Sequence, residues 1–201
     1  MQDKSAYISS IVESLQGNPY YARHFNYQGE ETLLYLDLSN LLCLAHDYGV
    51  WIDIEDVVFI LDAIYDLKSH YAFTSCNLTN GMVNFLYNTG FIVYQSPFDS
   101  DALMEYTICN VSRETDVTLV IIGTHDGGFR GVSDSLAQRG IQVAFLGFKE
   151  MFSSFLKSNL LFCLEDMNVL APLKGADNEN KSTNVTDFQN GSKYTEATEL
   201  T

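Results

Sequence analysis

The stretch from Val117 to Gly131 constrains the chain more than any other. Val117-Thr118-Leu119-Val120-Ile121-Ile122 is a nearly unbroken apolar run rich in β-branched residues. That pattern marks a strand buried on both faces, as in a parallel sheet. The run breaks into Gly123-Thr124-His125-Asp126-Gly127-Gly128, and an amphipathic segment follows from Phe129 to Gln138. In open α/β sheets the loops beyond the carboxyl ends of the strands carry the chemistry. Asp126 stands in such a loop and is the first residue to test for function.

The rest of the chain repeats this alternation. The pattern predicts strands at Thr32–Leu38, His70–Ser75, Phe91–Tyr94, Val117–Ile122, Ile141–Leu146 and Leu160–Leu164. Helices are predicted at Lys4–Leu15, from an N-cap at Asp53 to Leu67, and at Thr79–Asn88, Asp101–Arg113, Phe129–Gln138 and Phe148–Lys157. The helix after Asp53 carries Val57, Ile60, Leu61 and Ile64 at i, i+3, i+4, i+7 spacing. A loop is expected through His46 to Gly49. Strands alternating with helices imply βαβ units with right-handed crossovers. The expected class is therefore α/β, a Rossmann-like three-layer fold. Its mainly parallel sheet has five or six strands, ordered near 3-2-1-4-5. Residues 1–30 read as an N-terminal helix and lead-in, 31–173 as the main domain, and 174–201 as a disordered polar tail.

Charge narrows the partners. The net charge is −15. Residues 174–201 hold five acids and three lysines, which leaves about −13 on the rest. Such a surface disfavours broad, non-specific phosphate binding, so any nucleic-acid contact needs a local basic patch or bridging cations. A protein partner for the acidic surface is the other expectation. Cys43, Cys76, Cys109 and Cys163 lack zinc-knuckle or redox spacing and read as reduced thiols. The first residues lack a basic start and an apolar core, and no apolar run reaches spanning length. An intracellular place, cytoplasmic or nuclear, away from membranes, is expected. On that expectation the Asn-x-Ser/Thr triplets at Asn77, Asn110, Asn180, Asn184 and Asn190 read as chance matches.

Three acids occupy related places. Asp37 lies at the carboxyl end of the first strand, Asp126 just past the fourth, and Asp101 at the start of the helix between the third and fourth. With strands one and four adjacent, Asp37 and Asp126 flank the topological switch point and Asp101 looks in from its helix. Converging carboxylates repel unless a cation neutralises them, and a hard ion such as Mg²⁺ or Mn²⁺ suits an all-oxygen site. Asn40 and Thr124 are placed to orient a water or ligand oxygen. Glu105 and Asp134 are possible supporting acids, though both also read as solvated helix-surface residues. Taken singly, an Asp after a strand is more often a turn or helix cap, and Asp101 more often a first-turn acid that suits the helix dipole. His125 reads either as an acid–base group or as an exposed loop residue. The glycine-rich loop lacks both a Gly-x-Gly-x-x-Gly fingerprint and a P-loop lysine.

At these positions the sequence resembles an NYN domain, a branch of the PIN-like nuclease superfamily. The resemblance rests on Asp37-Leu38-Ser39-Asn40, on Ser100-Asp101-Ala102-Leu103-Met104, on Thr124-His125-Asp126-Gly127-Gly128-Phe129 and on Gly140-Ile141-Gln142-Val143. The lead-in Trp51-Ile52-Asp53-Ile54 is similar too, and the likeness runs from Thr32 to Asp166. It implies a PIN-like metal-dependent ribonuclease. Asp37, Asp101 and Asp126 would hold Mg²⁺ or Mn²⁺, Asn40 would complete the catalytic set, and Thr124, Glu105 and Asp134 would support it. One departure matters: Gly128 stands where the family's Ser-x-Asp-x-Asp-Phe motif has its second Asp. A catalytically degenerate domain that kept a binding or regulatory role is the alternative.

Overall fold

The computed structural model describes residues 3–98, 100–156 and 159–173. The segment expected to form a polar tail, 174–201, lies outside the described residues. Six parallel strands form the main sheet: β1 (Glu31–Asp37), β3 (Asp66–Thr74), β4 (Phe91–Gln95), β5 (Leu119–Gly123), β6 (Gln142–Gly147) and β7 (Leu160–Cys163). Two short strands, β2 (Val50–Ile52) and β8 (Leu170–Pro172), pair antiparallel as a separate ribbon. The helices are α1 (Lys4–Gly17), α2 (Leu38–Asp47), α3 (Ile54–Ile64), α4 (Asn80–Asn88), α5 (Ser100–Glu114) and α6 (Arg130–Ala137).

The sheet order is β4-β3-β1-β5-β6-β7. The chain winds outward from β1 through β3 to β4, then returns to the other side of β1 as β5. This is the predicted order with a sixth strand added, and it sets the switch point between β1 and β5.

Alternation along each strand builds two cores, one on each face. Leu34 and Leu36 of β1 and Ile121 of β5 face the layer holding α1, α2 and α3. Leu33, Tyr35, Val120 and Ile122 face α5 and α6, where Met104, Ile108, Val132 and Leu136 are buried. Covering both faces explains why β5 reads as a continuous apolar run. Each fully buried aliphatic side chain contributes about 1.5–3 kcal/mol. The fold is thus a Rossmann-like three-layer α/β arrangement. The N-terminal lead-in is part of it: Ile8, Ile11 and Leu15 of α1 enter the same core as α3. The Tyr21 hydroxyl donates to Asp166 (2.8 Å).

Several elements depart from the sequence reading. The stretch after Asp37, to which the sequence assigned no element, is α2, with Leu38, Leu41, Leu42 and Ala45 buried along one face. It takes in His46 and Asp47, so the expected loop shrinks to a turn at Tyr48 and Gly49. Strand and helix are joined without an intervening turn, so no breaker residue announces the change. α3 stops at Ile64, and β3 begins at Asp66 rather than His70, because β1 pairs along its whole length from Glu31↔Asp66 to Asp37↔Phe73. The helix expected at Phe148–Lys157 is instead a 3-10 turn, Lys149–Met151, followed by irregular backbone to Leu156, while Lys157 lies outside the described residues. Tertiary partners claim the backbone donors there: Phe148 N–H goes to His125, Lys149 N–H to Glu165, and Ser153 N–H to the His125 carbonyl. Phe148 and Phe152 are both buried, as the helical spacing suggested, but they pack around the His125 ring.

Candidate active site

The β1–β5 register sets the first contacts. Leu36 pairs with Gly123, so the next residues, Asp37 and Thr124, emerge side by side at the carboxyl edge. Asp37 is both the last residue of β1 and the N-cap of α2, its Oδ1 accepting the Asn40 N–H (3.0 Å). The Thr124 hydroxyl donates to Oδ2 (3.4 Å) and accepts the Asp126 N–H (3.3 Å). One hydroxyl therefore links the two acids. Asp126 in turn caps the 3-10 turn Gly127–Phe129, its Oδ1 accepting the Gly128 N–H (2.8 Å). Capping and cleft duty are not alternatives here, because each of these carboxylates does both.

Asp37 is only 4% exposed. Burial, with the charges of Asp101 and Asp126 adding to it, raises its carboxyl to about 6 against the Asn40 N–H and Thr124 hydroxyl bonds. Both of those acids therefore act on Asp37, as the topology predicts. Asp101, in the first turn of α5, completes the set from the third element. Asp37, Asn40, Asp101 and Asp126 line one open cleft of about 570 Å³, together with Ser39, Cys43, Leu44, Ser75, Ser100, His125 and Met151.

The donor set is all oxygen, as a hard divalent cation requires. The spacing limits how one would sit. Among the described residues, the three acids whose oxygens come within 4.8 Å of one another are Asp53, Glu55 and Asp56, at the start of α3. Lys4 pairs with Glu55 (2.5 Å) and Asp56 (3.1 Å), and Asp53 caps the helix. Asp37, Asp101 and Asp126 stand further apart than that. A cation at the cleft would therefore take one or two of these carboxylates directly and reach the rest through its waters.

His125 departs most from expectation. It is neither an exposed loop residue nor an available acid–base group, being 6% exposed with both ring nitrogens engaged. Nε2 accepts the Phe148 N–H (2.6 Å), which leaves the proton on Nδ1. Nδ1–H then donates to Asn40 Oδ1 (2.7 Å), and the His125 backbone N–H donates to the same oxygen (3.0 Å). Burial lowers the imidazole to about 4, so it stays neutral at physiological pH. Two donors on Oδ1 fix the Asn40 amide, and its Nδ2 makes no hydrogen bond among the described residues. That –NH₂ is a ready donor at the cleft. Gly147, ending β6, makes room for the ring: a Cβ there would lie 2.8 Å from His125 Cδ2 and closer still to Nε2. The sequence carries no local signal for this clamp, because it joins residues from β6, α2 and the β5 loop.

The supporting acids are not gathered in. Asp134 is exposed on α6 and pairs with Arg130 (3.6 Å). Glu105 lies one turn along α5 from Asp101 and is not among the residues lining the cleft. Thr124 does support the site, through Asp37. The four cysteines are unpaired. No helix among the described residues is long and apolar enough to cross a membrane.

No family model and no curated protein matches the chain. Among solved structures, the crystal structure of a protein of unknown function from Vibrio parahaemolyticus is similar, with a TM-score of 0.56 and 18% identity. The match covers 69% of this chain and 93% of that one. At this identity the likeness bears on the fold alone, and it agrees with the Rossmann-like architecture.

Proposed function

We propose that this protein is a metal-dependent ribonuclease of the PIN-like type, hydrolysing a phosphodiester of RNA at the β1–β5 cleft. The observation that carries the reading is the meeting of Asp37, Asp101 and Asp126, from three separate elements, at one cleft. The raised carboxyl of Asp37 describes a site that gains from a cation. A bound Mg²⁺ or Mn²⁺ would supply a water of lowered pKa and neutralise phosphate charge. Asp37, Asp101 and Asp126 would hold the ion, directly or through its waters. Thr124 keeps the first two in register, and the clamped Asn40 amide donates to a phosphate oxygen.

A second reading, a non-catalytic binding module on the same fold, is favoured by Gly128 and by the acidic surface. One experiment separates the two. Labelled RNA is incubated with purified protein and Mn²⁺, beside Asp126→Asn. Cleavage by the parent alone supports the nuclease. Equal, background-level cleavage by both removes it and leaves the binding module.

A further inference from the structure

Two exposed phenylalanines stand near residues of the cleft, one by chain neighbourhood and one by contact. Phe98 is 96% exposed, two residues before Ser100, which lines the cleft beside Asp101. Phe155 is 58% exposed, and its Cδ2 lies 3.0 Å from where a Cβ on Gly127 would sit, next to Asp126. Single exposed rings are common on protein surfaces, so what matters is their place, one near Ser100 in the chain and one against Gly127 in space. The charge nearby indicates which kind of occupant suits them. Arg130 lies 5.7 Å from the centre of the Phe155 ring. An exposed ring with a cation beside it suits a nucleobase and its phosphate better than an apolar peptide.

We propose that Phe155 and Phe98 are base-stacking platforms that receive the nucleotides flanking the phosphate held at the cleft, with Arg130 contacting the adjacent phosphate. The inference rests on the ribonuclease reading and extends it. These rings select unpaired bases, since a base inside a duplex has no free face to stack. They also explain how an acidic protein could hold RNA: affinity comes from stacking more than from charge. With Arg130 as the phosphate-facing cation, log K against log salt should have a slope of only about −0.7.

The test is binding of a short labelled oligoribonucleotide, with Ca²⁺ in place of the catalytic metal so that the strand stays intact. A duplex of the same sequence and an abasic strand are the comparison ligands. Phe155→Ala and Phe98→Ala should each weaken single-strand binding by roughly 5- to 150-fold. Phe155→Trp should retain binding, and Phe155→Leu should lose it. Both positions are exposed, so unchanged melting temperatures will confirm folding. Equal binding by Phe155→Leu, equal affinity for the abasic strand or duplex, or no binding of any single strand overturns the inference. The nuclease reading fails separately. Ring-dependent binding without Mn²⁺-driven cleavage removes catalysis and leaves the platforms. Cleavage whose KM is unmoved by both ring variants removes the platforms alone.

Discussion

Replacing Asp37 with Asn should make the metal-free protein more stable at neutral pH, although it damages the site. The carboxyl is raised from 3.8 to about 6, chiefly by burial. A group raised in the folded state contributes stability that is fully present below its unfolded pKa and lost as pH rises through the folded one. For Asp37 that window runs from 3.8 to about 6. Above it the ionised carboxylate costs about 3 kcal/mol relative to the neutral group. Asn keeps the capping bond to Asn40 N–H, since Asn and Asp are nearly equal N-caps. It weakens the contact with Thr124, a loss of about 1 kcal/mol. The net gain should be about 1–2 kcal/mol, or about 2–8 °C in Tm for a chain of this size. Thermal unfolding without metal at pH 7.5 measures it directly. The gain should vanish below pH 4, and saturating Mn²⁺ should stabilise the parent but not the variant. A variant less stable than the parent at pH 7.5 would refute the argument that Asp37 is held against its charge.

Other consequences follow from the same contacts. Gly147→Ala should destabilise by about 1–3 kcal/mol through overpacking against the buried His125 ring, and should abolish cleavage by releasing Asn40, as read by chemical denaturation and RNA assay. Gly128→Asp should tighten Mn²⁺ binding by calorimetry, because a Cβ there has room and meets only the Asp126 carboxylate, at 3.4 Å. His24 and His125 are both lowered to about 4, so they contribute stability present above pH 6.5 and lost as pH falls through 4, up to about 3 kcal/mol each. In the Asp37→Asn background, which lacks the opposing carboxyl, unfolding free energy should therefore fall steadily from pH 6.5 to 4.

How far the fold and site could be read in advance depends on the range of the contacts involved. β5 was legible because burial on both faces leaves an apolar run that no surface element shows. The sheet order followed, and with it the meeting of Asp37, Asp101 and Asp126, since each acid's place at an element end is a local property. α2 was not legible as a helix start, because Asp37 ends a strand and caps a helix in one residue. The β2–β8 ribbon joins three-residue segments far apart in the chain, too short to show a period. The segment after Phe148 kept helical spacing but lost the helix when its N–H groups found tertiary acceptors. His125 looked like an available loop imidazole. Only the fold reveals that Phe148, Gly147 and Asn40 surround it.

If Asp37, Asp101 and Asp126 share one divalent cation, electron paramagnetic resonance should count one bound Mn²⁺ per chain. That ion should be displaced by Mg²⁺, lost in Asp37→Asn and in Asp126→Asn, and retained in Asp53→Asn. Binding that survives both cleft substitutions, or that disappears with Asp53→Asn, would contradict a shared ion at the cleft.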